Sequence, residues 1–155
     1  MSTINELTSQ ADYIASKNNR LMMQWQNYHS TLIKAVTTTK QKINHEFICG
    51  QEQDIRFLLF NHFIIRIQLS EGFYSRDICY SINLAAANEE ENFAPFAHAT
   101  LDETGLIDGQ INNRDRAAVL EHYLNILAVI YQCLFDSLKG DRAIYDALKK
   151  ITLPA

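Results

Sequence analysis

Proline and glycine are scarce, with two and five in 155 residues. That scarcity excludes a collagen-like or low-complexity chain. Cysteine is scarce as well. Cys49, Cys79 and Cys133 lie far apart and form no CxxC pair, and an odd number cannot all pair within one chain. They read as reduced thiols of a cytoplasmic protein. Positive charge is not in excess: the formal net charge is −4, which argues against a broad basic grip on nucleic acid. The start of the chain has neither a basic segment nor an apolar core, so it is not read as a signal peptide. The longest apolar stretches are interrupted by Arg, Asn or Gln within a few residues, and no membrane span is expected. A glycine-rich phosphate loop, HExxH and GxSxG are all missing. The expectation is a chain that is not an enzyme and carries no cofactor and no metal.

What remains is an ordinary globular composition, 47% hydrophobic and 21% charged, at a length that suits one domain, 1–155. The charge is uneven. Residues 1–50 carry +2, residues 51–112 carry −7 and residues 113–155 carry +1. The negative charge sits in the middle of the chain.

The order of elements reads helix, sheet, helix. Residues 3–48 lack Gly and Pro, and Leu7, Ala11, Ile14, Leu21, Trp25, Tyr28, Leu32 and Ala35 recur at steps of three and four, with Asn18 in the same register. This predicts a long helix over 1–49. Its stripe (Ile14, Asn18, Leu21, Trp25, Tyr28, Leu32) fits either a coiled-coil dimer, in which Asn18 sets the register, or a helix packed on its own sheet. Thr37-Thr38-Thr39 has poor helix propensity and is a place for a bend or break. Gly50 and Gln51-Glu52-Gln53 read as the punctuation that ends the helix.

The period then changes to two. Residues 54–111 are expected to form an antiparallel sheet of four to five strands. Ile55 to Phe60 is apolar on both faces. Phe63 to Leu69 and Ile78 to Leu84 alternate around a turn at Ser70-Glu71-Gly72. Asn61-His62 is either a strand break or a bulge. An acidic loop follows through Glu89-Glu90-Glu91, then a strand near Phe96–Leu101, a turn at Asp102–Gly105 and a short returning strand from Leu106 to Ile111. Asp108-Gly109 reads as a turn. Residues 113–150 carry the C-terminal helices, with Asn112 a candidate cap. The stripe from Val119 to Leu138 faces the core, and Gly140 is a stop. The predicted fold class is α+β: a single domain whose antiparallel sheet is flanked by long N-terminal and C-terminal helices.

No constellation of side chains points to catalysis. His45 and Cys49 share a helical i, i+4 spacing, but two ligands are too few for a zinc site. The short helix pair around Gly140 lacks a basic recognition helix, so direct DNA contact is not expected. An interaction protein is the reading that survives: helices able to form a homodimer, and an acidic sheet-and-loop surface for a partner.

Residues 105–116 (GLIDGQINNRDR), continuing through Val119 to Leu124, resemble the formate hydrogenlyase regulatory protein family, HycA. Ala11–Ala15, Leu21–Tyr28, Leu59–Phe63 and Ser70–Phe73 agree in the same order. The resemblance covers roughly residues 10–138. It implies a negative regulator of the formate hydrogenlyase system. Such a protein opposes the formate-responsive transcriptional activator, acting on that activator or on its response to formate rather than on DNA. The reading that follows is an anti-activator that binds the activator by protein–protein contact. No catalytic residues come with the family. The charged candidates for the partner surface are Asp108, Arg114, Asp115 and Arg116, with helix capping and turn chemistry the competing account of all four. Two other classes stay open. One is a small acidic chaperone-like binding module. The other is a sensor of formate or another small anion, using Arg56, Arg66 or Arg76.

Overall fold

Alternation of period along the chain decides the element order. A computed structural model describes residues 3–50, 53–85 and 88–153. The expected punctuation at Gln51-Glu52 and part of the acidic loop lie outside these residues. Helix α1 spans Thr3–Thr38. The strands are β1 His45–Gly50, β2 Asp54–Leu59, β3 Phe63–Leu69, β4 Asp77–Asn83 and β5 Phe93–Thr100, with a small ribbon of β6 Leu106–Ile107 and β7 Ile111–Asn112. Helices α2 Arg116–Lys139 and α3 Ile144–Ile151 complete the chain. The α+β class and the five-stranded antiparallel sheet agree with the sequence.

The expected N-terminal helix over 1–49 is too long. α1 ends at Thr38, and His45–Gly50 is the first strand. The cause is local. Thr37 and Thr38 turn their hydroxyls back onto the carbonyls of Ile33 and Lys34, at the end of a β-branched run that resists helix. Asn44, at φ 57°, then redirects the backbone into β1. His45 and Cys49 therefore stand on a strand, not on one helix face.

The sheet runs β1-β2-β3-β4-β5, each pair antiparallel. Its inner face is continuous: Ile55, Phe57 and Leu59 on β2, then Phe63, Ile65, Ile67 and Leu69 on β3, then Ile78, Tyr80 and Ile82 on β4, all buried. The register pairs Phe57 with Ile65, and Ile67 with Tyr80. Burying each such side chain contributes roughly 1.5–3 kcal/mol. The outer face is only half-buried, with Arg56, Leu58, Ile64, Arg66 and Gln68 on it, so β2 is not closed on both faces as its composition suggests. Asn61-His62 lies in a turn between β2 and β3, not in a bulge. His62 N–H donates to the Leu59 carbonyl at 3.0 Å, and both Phe60 and Asn61 have positive φ. The segment 106–111 does not return as a strand of the main sheet. It folds into the β6–β7 ribbon around Asp108-Gly109, both at positive φ. That is the backbone a tight Asp-Gly turn requires.

α1 and α2 cover the inner face. Leu21, Trp25, Tyr28 and Leu32 of α1 meet Val119, Tyr123, Leu127, Ile130 and Leu134 of α2 in one core, closed at its end by Leu148 of α3. α2 is capped by Asp115, not Asn112: the Asp115 carboxylate accepts from Ala118 N–H at 3.2 Å. Leu138 ends the α2 stripe in solvent rather than in the core. By length and composition α2 is apolar enough to cross a membrane, which corrects the expectation that no segment qualifies. In this fold one of its faces is core.

Three tyrosine hydroxyls enter the core, and each has a partner. The Tyr28 and Tyr80 hydroxyls lie 2.6 Å apart, and burial pushes both phenols up, so they stay protonated. Tyr80→Phe strands the Tyr28 hydroxyl, and the expected loss is about 1–3 kcal/mol. Tyr28→Phe with Tyr80→Phe removes both partners and is expected to cost less than the two single changes together. Urea unfolding followed by tryptophan fluorescence checks this. Additive losses would show that the pair is not coupled.

Candidate functional site

The segment from Asp102 to Arg116 ties the sheet to both long helices, and its turn chemistry sets the rest. The Asp102 carboxylate accepts from the N–H groups of Thr104 and Leu106 at 2.9 and 3.1 Å, an Asx-type turn. Gly105 follows at φ +85°, where a Cβ would come within 2.6 Å of Gln24 Oε1. Only glycine permits that close approach to α1.

Glu103 is thereby pressed onto the middle of α1. Its carboxylate accepts from Lys17 Nζ at 2.7 Å, Arg20 Nε at 3.1 Å and the Tyr74 hydroxyl at 2.6 Å. Its carbonyl accepts from Gln24 Nε2 at 3.1 Å. The bonds from Lys17 and then Tyr74 hold the carboxyl at about 2, far below its ordinary 4.5. Asn113 completes the bracket. It is buried, and its amide donates to the Gln24 carbonyl at 2.7 Å and to Gln24 Oε1 at 3.1 Å. Asn113 is therefore the tie between the start of α2 and α1.

The four predicted partner residues fall on the outer side of this bracket, and two of them already have work. Asp108 accepts from Thr100 N–H at 2.9 Å and pairs with His122 Nε2 at 2.9 Å. Burial pushes its carboxyl up, but the bonds from His122 and Thr100 outweigh that and hold it below the usual range. Asp115 caps α2. Arg114 and Arg116 are exposed, and no acidic partner reaches their guanidinium groups among the described residues.

The long stripe of α1 divides. Leu21, Trp25, Tyr28 and Leu32 are closed into the chain's own core and are not free to pair with another helix in this fold. Asn18 is half-buried and Ile14 is exposed. The acidic middle is also not one open face. Glu91 and Asp54 bind Arg56, Glu103 binds α1, Asp108 binds His122, and Asp102 binds backbone. Of the three arginines weighed as anion partners, Arg56 is therefore occupied and Arg76 is exposed. Arg66 stacks over Phe93 at 4.1 Å, and its Nε is buried without a partner among the described residues. His45 is spent on Tyr123, whose hydroxyl lies 2.8 Å from Nε2, and burial lowers its pKa. Among the described residues no three His, Cys, Asp or Glu side chains gather as a metal site. Glu103 escaped the sequence reading because its partners are remote in the chain, 79 to 86 residues away on α1 and 29 away at Tyr74; only the turn that carries it was visible.

Comparison with known proteins places these features in a family context. The family described as "Transcriptional repressor of hyc and hyp operons" matches residues 2–149. The chain is 36% identical over 139 residues to the formate hydrogenlyase regulatory protein HycA of Escherichia coli K12, covering 90% of this chain and 89% of that one. HycA proteins of Escherichia coli O157:H7 and Shigella flexneri match to the same extent. No solved structure matches the chain.

The depressed Glu103 carboxyl has a pH signature. A folded pKa below the unfolded value stabilises the fold fully above about pH 4.5, and that contribution is lost as pH falls toward 2. Glu103→Gln is expected to be less stable than the parent at pH 7, with the gap closing as pH drops through that window. Urea midpoints at pH 7, 4 and 2.5 read it. A gap that does not change with pH would remove the ionic bracket.

Proposed function

Since the chain belongs to the family of transcriptional repressors of the hyc and hyp operons, we propose that it restrains the formate hydrogenlyase system as an anti-activator. It binds the formate-responsive transcriptional activator, acts in the cytoplasm and leaves the promoter DNA to that activator. The match over residues 2–149 carries the reading. The charge supports its mechanism. The chain is acidic overall, and the two arginines at the head of α2 stand beside Asp115 rather than in a basic stripe able to follow a phosphate backbone.

The contact surface is the outer side of the bracket. Arg114 and Arg116 supply the free cations, while Asp108 and Asp115 fix the turn and the helix start that present them. Free charges beside a rigid turn suit recognition of an acidic patch on a protein partner. Co-purification with the activator is expected to give a stable complex without DNA. Arg114→Glu with Arg116→Glu is expected to weaken that complex about tenfold or more and to release a formate hydrogenlyase reporter from repression. Unchanged repression by a folded variant would exclude this surface.

Arg66 favours one second reading, a sensor of formate or another small carboxylate. A buried guanidinium nitrogen without a partner is a donor waiting for an anion. Calorimetric titration with millimolar formate is expected to give heat that Arg66→Gln abolishes. No heat from the parent protein removes the sensor.

A further inference from the structure

Residues 3–15 of α1 are exposed along their whole length. At 1.5 Å per residue, about 20 Å of helix stands outside the chain's own core. This part is not polar all round, as a solvated helix would be. Ile4, Leu7, Ala11 and Ile14 continue the stripe that is buried from Leu21 onward, and Leu7 and Ile14 are 58% and 50% exposed. A helix this short is marginal in water on its own. Its only charged residues before Lys17 are Glu6 and Asp12, both acidic.

The opposite end of the molecule carries an empty apolar groove of about 750 Å³. Phe60, Phe63, Tyr131, Phe135, Leu138 and Ile43 line it. Leu138 is 71% exposed and Phe135 54%. Two cations stand near it: Lys139, whose Nζ lies 4.8 Å over the Phe135 ring, and exposed Lys42, next to Ile43 in sequence. The Asp136 carboxylate also lies beside it, bonded to the lining Gln132 Nε2 at 2.9 Å. One lining residue is strained. Phe60 sits at φ 53° in the β2–β3 turn, a conformation that costs a bulky L side chain energy and is ordinarily left to Asn or Gly. The strain holds an aromatic ring at the groove edge, the kind of local cost that clusters at binding surfaces.

We infer that this groove receives residues 3–16 of α1 from a second copy of the chain, and that each copy gives and takes one helix across a two-fold axis. The chain's own α1 cannot turn back into it. Lys17, Arg20 and Gln24 are fixed to the Glu103 turn beside Tyr74, at the far end of β3 from Phe63. Glu6 and Asp12 of the helix are opposite in sign to Lys139 and Lys42 beside the groove. The apolar stripe matches the lining, as in helix-in-groove recognition. Because helix and groove lie at opposite ends, two antiparallel copies satisfy both contacts at once, and the ring closes at two. The inference does not rest on the anti-activator reading, because its test contains no activator.

Light scattering after gel filtration of the full chain tests it, with circular dichroism to confirm that each variant is folded. The parent is expected at twice the chain mass. Leu7→Glu and Leu138→Glu, both at exposed positions, are each expected to weaken association about tenfold or more and to run as monomers. Mixing the two variants leaves one sound helix facing one sound groove, so partial association should return. A monomeric parent at tens of micromolar overturns the inference. So does a Leu138→Glu protein that stays dimeric while Leu7→Glu does not, since the helices would then pair with each other instead.

Discussion

The inner face of the sheet has to be kept dry, and only two long helices are available to do it. Ten large side chains of β2, β3 and β4 point to that face. Strand pairing satisfies the backbone, but nothing within the sheet removes this apolar surface from water. α1 and α2 therefore lie across it, and the buried halves of both stripes are fixed by what they cover. Where tyrosine enters the core, its hydroxyl needs a partner, which explains the Tyr28–Tyr80 and Tyr123–His45 bonds. The bracket around Gln24, Glu103 and Asn113 is secondary in energy. Partly exposed ion pairs contribute little, and its effect is to fix where α1 crosses the β5–β6 turn and where α2 begins.

The same bracket changes the meaning of the charge map. A segment of −7 looks like an acidic face offered to a basic partner. In the fold Asp54, Glu91, Asp102, Glu103 and Asp108 are held by Arg56, Lys17, Arg20, His122 and backbone N–H groups, while Glu71, Asp77, Glu89 and Glu90 stay exposed. Arg114 and Arg116 at the head of α2 are among the exposed cations that no acidic side chain holds among the described residues. On the proposed reading these two arginines, beside Asp108 and Asp115, are the cationic contacts of a molecule that is acidic overall.

Periodicity made the architecture legible. The three-and-four spacing located both long helices, and the period of two located the strands, because each pattern reports which side of an element is dry. Boundaries were less legible, for reasons visible in particular residues. Ile43, Phe47 and the residues between them fit a helical stripe nearly as well as a strand, and the break at Thr37–Thr39 outweighs that pattern. Asn112 and Asp115 are both competent caps, and the choice between them depends on Asn113 being drawn inward to Gln24. The division of the α1 stripe was not legible, since the apolar spacing is the same on either side of Asn18. Only the length of the sheet decides where cover ends. The Glu103 contacts and the groove at Phe60 and Leu138 join distant segments, and no local pattern encodes them.

α1 is one uninterrupted helix with two kinds of surroundings. Amides on the buried stretch from Leu21 to Leu32 open with the core, so their exchange with solvent is expected to follow global unfolding. Amides near the N-terminus lose their protection by fraying, one turn at a time, against almost no barrier. The helix is thus a gradient in time as well as in burial. Anything that seats its first four turns converts fast local motion into slow cooperative motion, without moving a single atom of the core.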